Sequence, residues 1–150
     1  MYLIKTNSEK ETIELGKKIA EKLEKGKVIV LTGDLGAGKT KLTEGILSFF
    51  DLQDEISSPT FTIVNEYHSN KGLNIYHFDV YRLSDSDEFF AIGGEEYFEK
   101  GACIIEWGEM LQDILPNDYI HITFEKDENN IDFRNIKIDV IGNVDFNLEI

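Results

Sequence analysis

The feature that most constrains the fold of this chain is a glycine-rich loop between an apolar stretch and an amphipathic one. Residues 27–32 are apolar and β-branched, which predicts a strand buried on both faces, as in parallel sheets covered by helices. Within residues 41–50, Leu42, Ile46 and Phe49 fall on one helical face. The chain therefore predicts a strand, a loop and a helix in succession.

The loop matches the pattern G-x-x-x-x-G-K-[ST] and comprises Gly33-Asp34-Leu35-Gly36-Ala37-Gly38-Lys39-Thr40. Glycines let the main chain approach a phosphate closely, and the N–H groups at a helix start carry partial positive charge. Lys39 would add a full charge on the β- and γ-phosphates, and Thr40 would place its hydroxyl on Mg²⁺. Because the motif has the strand and helix context that its mechanism requires, it predicts nucleotide binding rather than a ligand-free turn.

Two acidic residues end other predicted strands. Glu106 follows the apolar residues 102–105, and Asp79 ends the stretch 73–79. Enzymes with this phosphate loop need a carboxylate that holds the Mg²⁺ shell or orients water. A charge directly after four apolar residues is costly to bury without a cation or hydrogen-bond partner, and Mg²⁺ supplies one. Asp79, which shares a strand face with His77, fits equally well as an ordinary strand-end acid.

Tryptophan and arginine are both scarce. Trp107 is the only tryptophan, and from the sequence alone we expect it to pack at the edge of a core. Arginine occurs only as Arg82 and Arg134. Because arginine commonly stabilises the transition state of phosphoryl transfer, this scarcity favours slow turnover that a partner accelerates. Arg82 is the arginine near a candidate site, although a surface salt bridge is at least as good an interpretation.

Composition restricts the class of protein. A length of 150 residues with 41% hydrophobic residues predicts one domain over 1–150. The net charge of −14 disfavours direct nucleic-acid binding, so an RNA role would need a partner. A single cysteine, Cys103, cannot form an internal disulfide and fits a reducing cytoplasm. The apolar run 28–31 is far shorter than the about 20 residues that span a bilayer, so we expect no membrane association.

The remaining patterns predict one α/β domain with a mixed sheet. A capping box formed by Ser8 and Glu11 begins a helix that Gly26 closes. The other predicted elements are a hairpin of strands 61–67 and 73–79, short helices in 85–98 broken at Gly93-Gly94, a strand over 102–106, a helical turn over 109–115, and two half-exposed strands over 120–124 and 136–140.

Four separated stretches together resemble the TsaE (YjeE) family. They are the loop 33–40, Ser58-Pro59-Thr60-Phe61, His77-Phe78-Asp79-Val80-Tyr81-Arg82-Leu83 and Glu106-Trp107-Gly108-Glu109. The resemblance covers residues 8–125. It implies a P-loop NTPase fold with a compact mixed sheet, mostly parallel in its core with antiparallel edge strands and flanked by helices. It also implies Mg²⁺ and ATP as cofactors and weak ATPase activity in support of TsaB and TsaD, of which TsaD transfers the threonylcarbamoyl group to tRNA.

The resemblance also implies roles for particular residues. By matching position, Lys39 and Thr40 would hold the phosphates and Mg²⁺, and Glu106 would lie in the metal and water shell. Asp79 would be a second acid beside the γ-phosphate. Lys39, Asp79 and Glu106 are accordingly the expected catalytic residues.

Two further contacts are implied by the same resemblance. Thr60 lies in a switch-like loop and would contact the γ-phosphate or the metal. Trp107 matches a tryptophan that packs on the adenine. The stretch beyond Lys126 carries no family signal.

Three other functions share the phosphate loop. A small metabolite kinase usually closes an arginine-bearing lid, for which two arginines leave little material. A GTPase would need Asn-Lys-x-Asp, which Asn70-Lys71-Gly72-Leu73 only imitates because it lacks the aspartate. A nucleotide-gated scaffold without essential hydrolysis needs the same loop and metal, so the sequence does not separate it from an ATPase.

Overall fold

The structure of the chain is a computed structural model that describes residues 1–34, 38–52, 64–80, 83 and 85–148, with only the main chain described at Glu109 and Met110. The described strands are β1 (Tyr2–Thr6), β2 (Val28–Thr32), β3 (Val64–His68), β4 (Asn74–Asp79), β5 (Ala102–Glu106), β6 (Tyr119–Lys126) and β7 (Arg134–Ile141). The helices are α1 (Glu9–Ala20), α2 (Lys39–Phe49), α3 (Ser86–Ala91) and α4 (Tyr97–Lys100), with 3₁₀ helices at Gly94–Glu96 and Gly108–Ile114. Outside the described residues lie Leu35, Gly36, Ala37, the stretch 58–61 with Thr60, Arg82, and residues 61–63 of a predicted strand.

All of these strands join one sheet in the order β1-β7-β6-β2-β5-β4-β3. The central strands run parallel, since β2 pairs in parallel with β5 and β6, and β5 pairs in parallel with β4. The outer pairings, β1 with β7, β7 with β6 and β3 with β4, are antiparallel. The predicted mixed sheet with a parallel core and antiparallel edges is confirmed. One edge of the sheet therefore collects the carboxyl ends of β6, β2, β5 and β4.

The sheet separates two hydrophobic cores. Ile29 and Ile104 belong to the core that contains the buried residues of α1 and α2. Val30 and Ile105 belong to the core on the opposite face, which also contains Phe89 of α3. Because helices cover both faces, the central strands are apolar throughout rather than alternating.

Helix α1 begins where it is predicted to begin and ends earlier. The Ser8 hydroxyl accepts a hydrogen bond from the Glu11 N–H at 3.2 Å. The helix ends at Ala20, so the predicted end at Gly26 is wrong. After Ala20 the main chain tightens, and the Leu23 N–H donates to the Ala20 carbonyl three residues back. Leu23 is still buried, which prolongs the apolar pattern beyond the helix.

Helices α1 and α2 touch where glycine faces glycine. A Cβ added to Gly16 would lie 2.3 Å from the Leu42 carbonyl oxygen, and one added to Gly45 would lie 2.0 Å from the Ile13 carbonyl oxygen. Real Cβ atoms do not approach main-chain oxygens so closely. This contact therefore requires glycine on both helices, and it holds α2 against α1.

Both ends of the chain contribute structure for which the sequence patterns contain no clear signal. β1 lies at an edge of the sheet beside β7 and was not predicted. The Tyr2 ring meets the Phe146 ring edge-on at a centroid separation of 6.3 Å. Phe146 and Leu148 are buried in the first core. The stretch beyond Lys126 therefore supplies a strand and part of the core.

The remaining predicted elements are close to those observed. β3 and β4 form the predicted antiparallel hairpin. The segment 85–98 contains α3 and the start of α4, and the predicted break at Gly93-Gly94 separates them. The helical turn predicted over 109–115 is the 3₁₀ helix Gly108–Ile114. None of the described helices is long and apolar enough to cross a membrane.

Candidate functional site

The residues with predicted chemistry meet at the carboxyl edge of the parallel strands. β2 ends at Thr32 directly before the phosphate-loop motif, and α2 begins at Lys39. The strand register places Glu106 of β5 opposite Leu31 of β2 and opposite Asp79 of β4. Ligands of open α/β sheets bind outside this edge. Lysine and carboxylates that are far apart in the sequence are thus brought together in the folded chain.

The start of α2 differs from the starts of α1 and α3. Ser8 and Asp85 cap α1 and α3 through their side chains, and acidic residues follow in both first turns. α2 has Gly38 at this position, with no side-chain cap and no acidic residue in its first turn. Its N–H groups and the positive end of its dipole are therefore not neutralised by a capping side chain. Such a helix start favours an anion.

Gly38 itself is required by its backbone and by its surroundings. Its φ of 115° lies in the left-handed region that favours glycine. A Cβ at Gly38 would lie 3.3 Å from the Phe124 ring and 3.6 Å from Cγ of Arg134. Strands β6 and β7 therefore form one wall beside the helix start.

Lys39 carries a buried positive charge at this edge. Its side chain is 9% exposed, and its Nζ lies 3.7 Å from Oε1 of Glu106 and 4.4 Å from the centre of the Trp107 ring. The first distance exceeds that of a good hydrogen bond. A buried ammonium needs closer partners than these to offset its lost hydration. The neighbouring Thr40 is exposed, so its hydroxyl is accessible from solvent.

Glu106 holds a charged carboxylate between Lys39 and a histidine. Nε2 of His77 lies 2.6 Å from Oε2 of Glu106. Burial raises the pKa of the Glu106 carboxyl, but the hydrogen bond and charge of His77, followed by those of Lys39, outweigh burial and leave the pKa below its ordinary value. Glu106 is therefore ionised at neutral pH. Asp79 is half-buried on the neighbouring strand, at the same level of the sheet.

Trp107 has an uncommon backbone conformation. Its φ is 64°, which is rare for a bulky side chain and costs free energy. Its N–H donates to the Leu31 carbonyl at 2.9 Å, which ties the turn to the end of β2. The half-buried side chain packs against the second core, as expected from the sequence, and its ring also lies over Lys39.

Four residues at this edge, His77, Thr32, His121 and Arg134, were not assigned to the site from the sequence. His77 was expected to share a face with Asp79, but its contact with Glu106 depends on the register of two strands. The Thr32 hydroxyl and Nε2 of His121 are 2.8 Å apart at the end of β2. Arg134 adjoins Gly38 from a stretch without a recognisable motif. Only tertiary structure brings these four residues to the site.

Comparison with known proteins identifies the relatives of this chain. The sequence pattern of the family described as "Threonylcarbamoyl adenosine biosynthesis protein TsaE" matches residues 6–136. A protein from Treponema pallidum named "tRNA threonylcarbamoyladenosine biosynthesis protein TsaE" is 41% identical over 119 residues, which cover 79% of this chain and 87% of that protein. A protein of the same name from Haemophilus influenzae is 44% identical over 128 residues, which cover 80% of each chain.

A solved structure agrees with these sequence matches. The crystal structure of YdiB from Bacillus subtilis superimposes with a TM-score of 0.71 at 32% sequence identity, over 94% of this chain and 86% of that one. The family match includes the phosphate-loop motif, Asp79, Glu106 and Trp107. The resemblance proposed from four separated stretches is confirmed: the chain belongs to the TsaE family.

Proposed function

We propose that this chain binds Mg-ATP at the start of α2 and hydrolyses it slowly in support of tRNA threonylcarbamoyladenosine biosynthesis. The pathway follows from the family and from the names of its relatives. The observation that supports nucleotide binding is the buried ammonium of Lys39 at the start of α2, where Gly38 occupies the cap position and ionised Glu106 lies nearby.

The described residues fit a phosphate group. The left-handed Gly38 and the N–H groups at the start of α2 suit a close approach of phosphate oxygens. A phosphate would give Lys39 a shorter and stronger contact than its present one with Glu106. Gly33 and Asp34 enter the same loop from the end of β2. We therefore assign the whole motif, from Gly33 to Thr40, to nucleotide binding.

The residues also fit a magnesium ion. Mg²⁺ prefers oxygen ligands and usually takes only one or two protein groups, with phosphate and water as the rest. Thr40 offers an exposed hydroxyl, and Glu106 offers an ionised carboxylate. These two residues would hold the ion, which would neutralise charge on the phosphate oxygens during transfer.

Glu106 and Asp79 are the proposed acids for hydrolysis. Both end parallel strands at the same level of the sheet, at the carboxyl edge where ligands of such sheets bind. An ionised carboxylate accepts hydrogen bonds, and it can therefore orient the water that attacks the γ-phosphate. The ammonium of Lys39 would stabilise the negative charge of the same phosphate. Lys39, Asp79 and Glu106 together are the proposed catalytic residues.

Trp107 and Thr60 complete the proposed nucleotide contacts. The Trp107 ring lies over the Lys39 ammonium, so it adjoins the part of the site where a phosphate would bind. Packing on adenine, which the family resemblance implies, would require the ring to leave this position. Thr60 belongs to the proposal through the resemblance alone, because it lies outside the described residues.

TsaB and TsaD are the proposed partners. A net charge of −14 works against direct contact with a phosphate backbone. The tRNA would therefore be bound by the partner that modifies it, while this chain supplies ATP hydrolysis. The low arginine content agrees with turnover that needs a partner.

The test is ATP turnover by the purified chain with and without TsaB and TsaD. We expect slow turnover alone and faster turnover in the complex, with both abolished in Lys39→Ala. Lys41→Ala is the matched control, because Lys41 lies on the same helix but pairs with Glu44 and Glu9. Equal rates with and without the partners, or an active Lys39→Ala variant, would refute the proposal.

The same assay separates the alternative functions. Fast turnover alone, or phosphate transfer to a small molecule, would indicate a metabolite kinase. Stronger competition by GTP than by ATP would indicate a GTPase. If Glu106→Ala still supports many cycles of tRNA modification, hydrolysis is dispensable and the protein is a nucleotide-gated scaffold.

A further inference from the structure

We infer that His77 is a positioning residue, which holds one carboxylate oxygen of Glu106 so that the other faces Lys39 at the start of α2. The inference rests on the proposed hydrolysis of ATP at this site. It adds a residue to which the sequence motifs assign no role.

The strand register explains why the two side chains meet. β4 and β5 run in parallel, with His77 opposite Ile104 and Asp79 opposite Glu106. Because side chains alternate along a strand, His77 and Glu106 lie on one face of the sheet and are diagonal neighbours. Nε2 of His77 and Oε2 of Glu106 are 2.6 Å apart, a distance typical of a charge-assisted hydrogen bond.

The direction of this hydrogen bond follows from the carboxylate. A carboxylate can only accept hydrogen bonds, so Nε2 of His77 carries the hydrogen in this 2.6 Å contact. Oε1 of Glu106 lies 3.7 Å from Nζ of Lys39, on the phosphate-loop side. The two carboxylate oxygens thus have different neighbours. Oε2 is held by His77, and Oε1 lies on the side of Lys39, where the proposed phosphate would bind.

The other ring nitrogen shows that His77 is poorly suited to a purely structural role. His77 is 5% exposed, and its Nδ1 has no hydrogen-bond partner within the part of the chain that the structure describes. A buried polar atom without a partner lowers stability whether or not it carries a hydrogen. An apolar side chain of similar size would avoid this cost. The contact with Glu106 is the feature that only the histidine provides.

The consequence of losing His77 can be derived from the same contacts. Without the donor on Nε2, the Glu106 side chain can turn both of its oxygens toward Lys39. The water would then lose its oriented acceptor, whereas Lys39 and the start of α2 would still be in place to bind phosphate. A positioning role therefore predicts a loss in kcat with little change in nucleotide affinity.

The experiment compares three variants in the presence of TsaB and TsaD. His77→Leu removes the donor, and His77→Asn leaves an amide too short to reach Glu106. His77→Gln places an amide N–H where Nε2 lies now. We expect kcat to fall roughly 10- to 100-fold in the Leu and Asn variants and to stay within about threefold of wild type in the Gln variant. The inference is overturned if kcat in His77→Gln falls as far as in the other two variants, or if His77→Leu has the kcat of wild type.

Two readouts do not depend on turnover. Calorimetric titration with ADP in the absence of Mg²⁺ should give affinities within about twofold of wild type for all three variants, because Lys39 and the start of α2 still contact the phosphates. A thermal midpoint of His77→Leu within about 4 °C of wild type is expected. A purely structural histidine would instead lower the midpoint and the affinity together, and that pattern would contradict a positioning role.

A last measurement keeps this inference distinct from the proposed function. In the nucleotide-free protein, the imidazole ¹⁵N spectrum should show His77 with hydrogen on Nε2, and an Nε2 without hydrogen would refute the contact. If the wild type binds and hydrolyses no ATP, the proposed function fails whatever that spectrum shows. If the wild type is active and the Leu variant equally so, only the role of His77 fails.

Discussion

The ammonium of Lys39 lies 4.4 Å from the centre of the Trp107 ring, at the face of the indole. A cation–π contact of this kind is worth about 0.5–2 kcal/mol, which is less than a set of charge-assisted hydrogen bonds to phosphate. A phosphate bound by Lys39 should therefore draw the ammonium away from the ring. Trp107 is the only tryptophan, so its fluorescence reports on this site alone.

We predict that saturating Mg-ATP changes the fluorescence emission of Trp107. The Lys39→Ala variant should have an altered emission in the absence of nucleotide, and its emission should not change when Mg-ATP is added. Lys41→Ala should keep the full response. Mg-pyrophosphate should reproduce most of the change, and adenosine little of it, if the ring adjoins the phosphate end. A large response to adenosine alone would instead support packing of Trp107 on the adenine.

Gly45 lies away from the site, and adding a single methyl group there should destabilise the fold strongly. Its Cβ would lie 2.0 Å from the Ile13 carbonyl oxygen, and a main-chain atom cannot yield as a flexible side chain does. We expect Gly45→Ala to lower the free energy of unfolding by about 3 kcal/mol. Urea denaturation of wild type and variant measures this difference in the free energy of unfolding. Ser48→Ala on the same helix is the control and should be neutral or slightly stabilising.

Local signals were sufficient for the central part of the fold. The strand before the glycine-rich motif and the helix after it each have a pattern within a few residues, and they form β2 and α2 as predicted. The hairpin β3–β4 has an equally local turn. In contrast, β1 depends on pairing with β7 from the other end of the chain, and five residues contain too little pattern to show this.

The positions of the candidate site residues were predictable to a similar degree. The motif identifies Lys39 and Thr40, and the ends of apolar strands point to Asp79 and Glu106. The contact between His77 and Glu106 joins residues 29 apart, and it requires the register of β4 against β5. A one-residue slip would turn His77 to the other face, so no pattern within either strand contains this information.

The start of α1 offers a test of local stability. Ser8 accepts from the Glu11 N–H at 3.2 Å, and the Glu11 side chain accepts from the Asn7 N–H at 3.3 Å. Ser8→Ala should cost about 1 kcal/mol, which corresponds to a fall in Tm of about 2–4 °C in a domain of this size. Ser8→Asp should retain wild-type stability because aspartate also caps helices and suits the dipole. Calorimetry that finds both variants equally destabilised would refute the cap.

Cys103 should be unreactive in the folded protein. It lies at 0% exposure in β5, and burial raises the pKa of its thiol to about 12. Because the thiolate is the reactive form, a fraction of only about 10⁻⁴ would be ionised at pH 8, and even that fraction is inaccessible to a reagent. We expect thiol labelling at pH 8 to proceed at the rate at which the protein unfolds, and to be rapid in 8 M urea. Cys103→Ala sets the background. Labelling in native buffer as fast as that of a free cysteine peptide would show that β5 opens readily. The strand could then not hold Glu106 in a fixed position at its end.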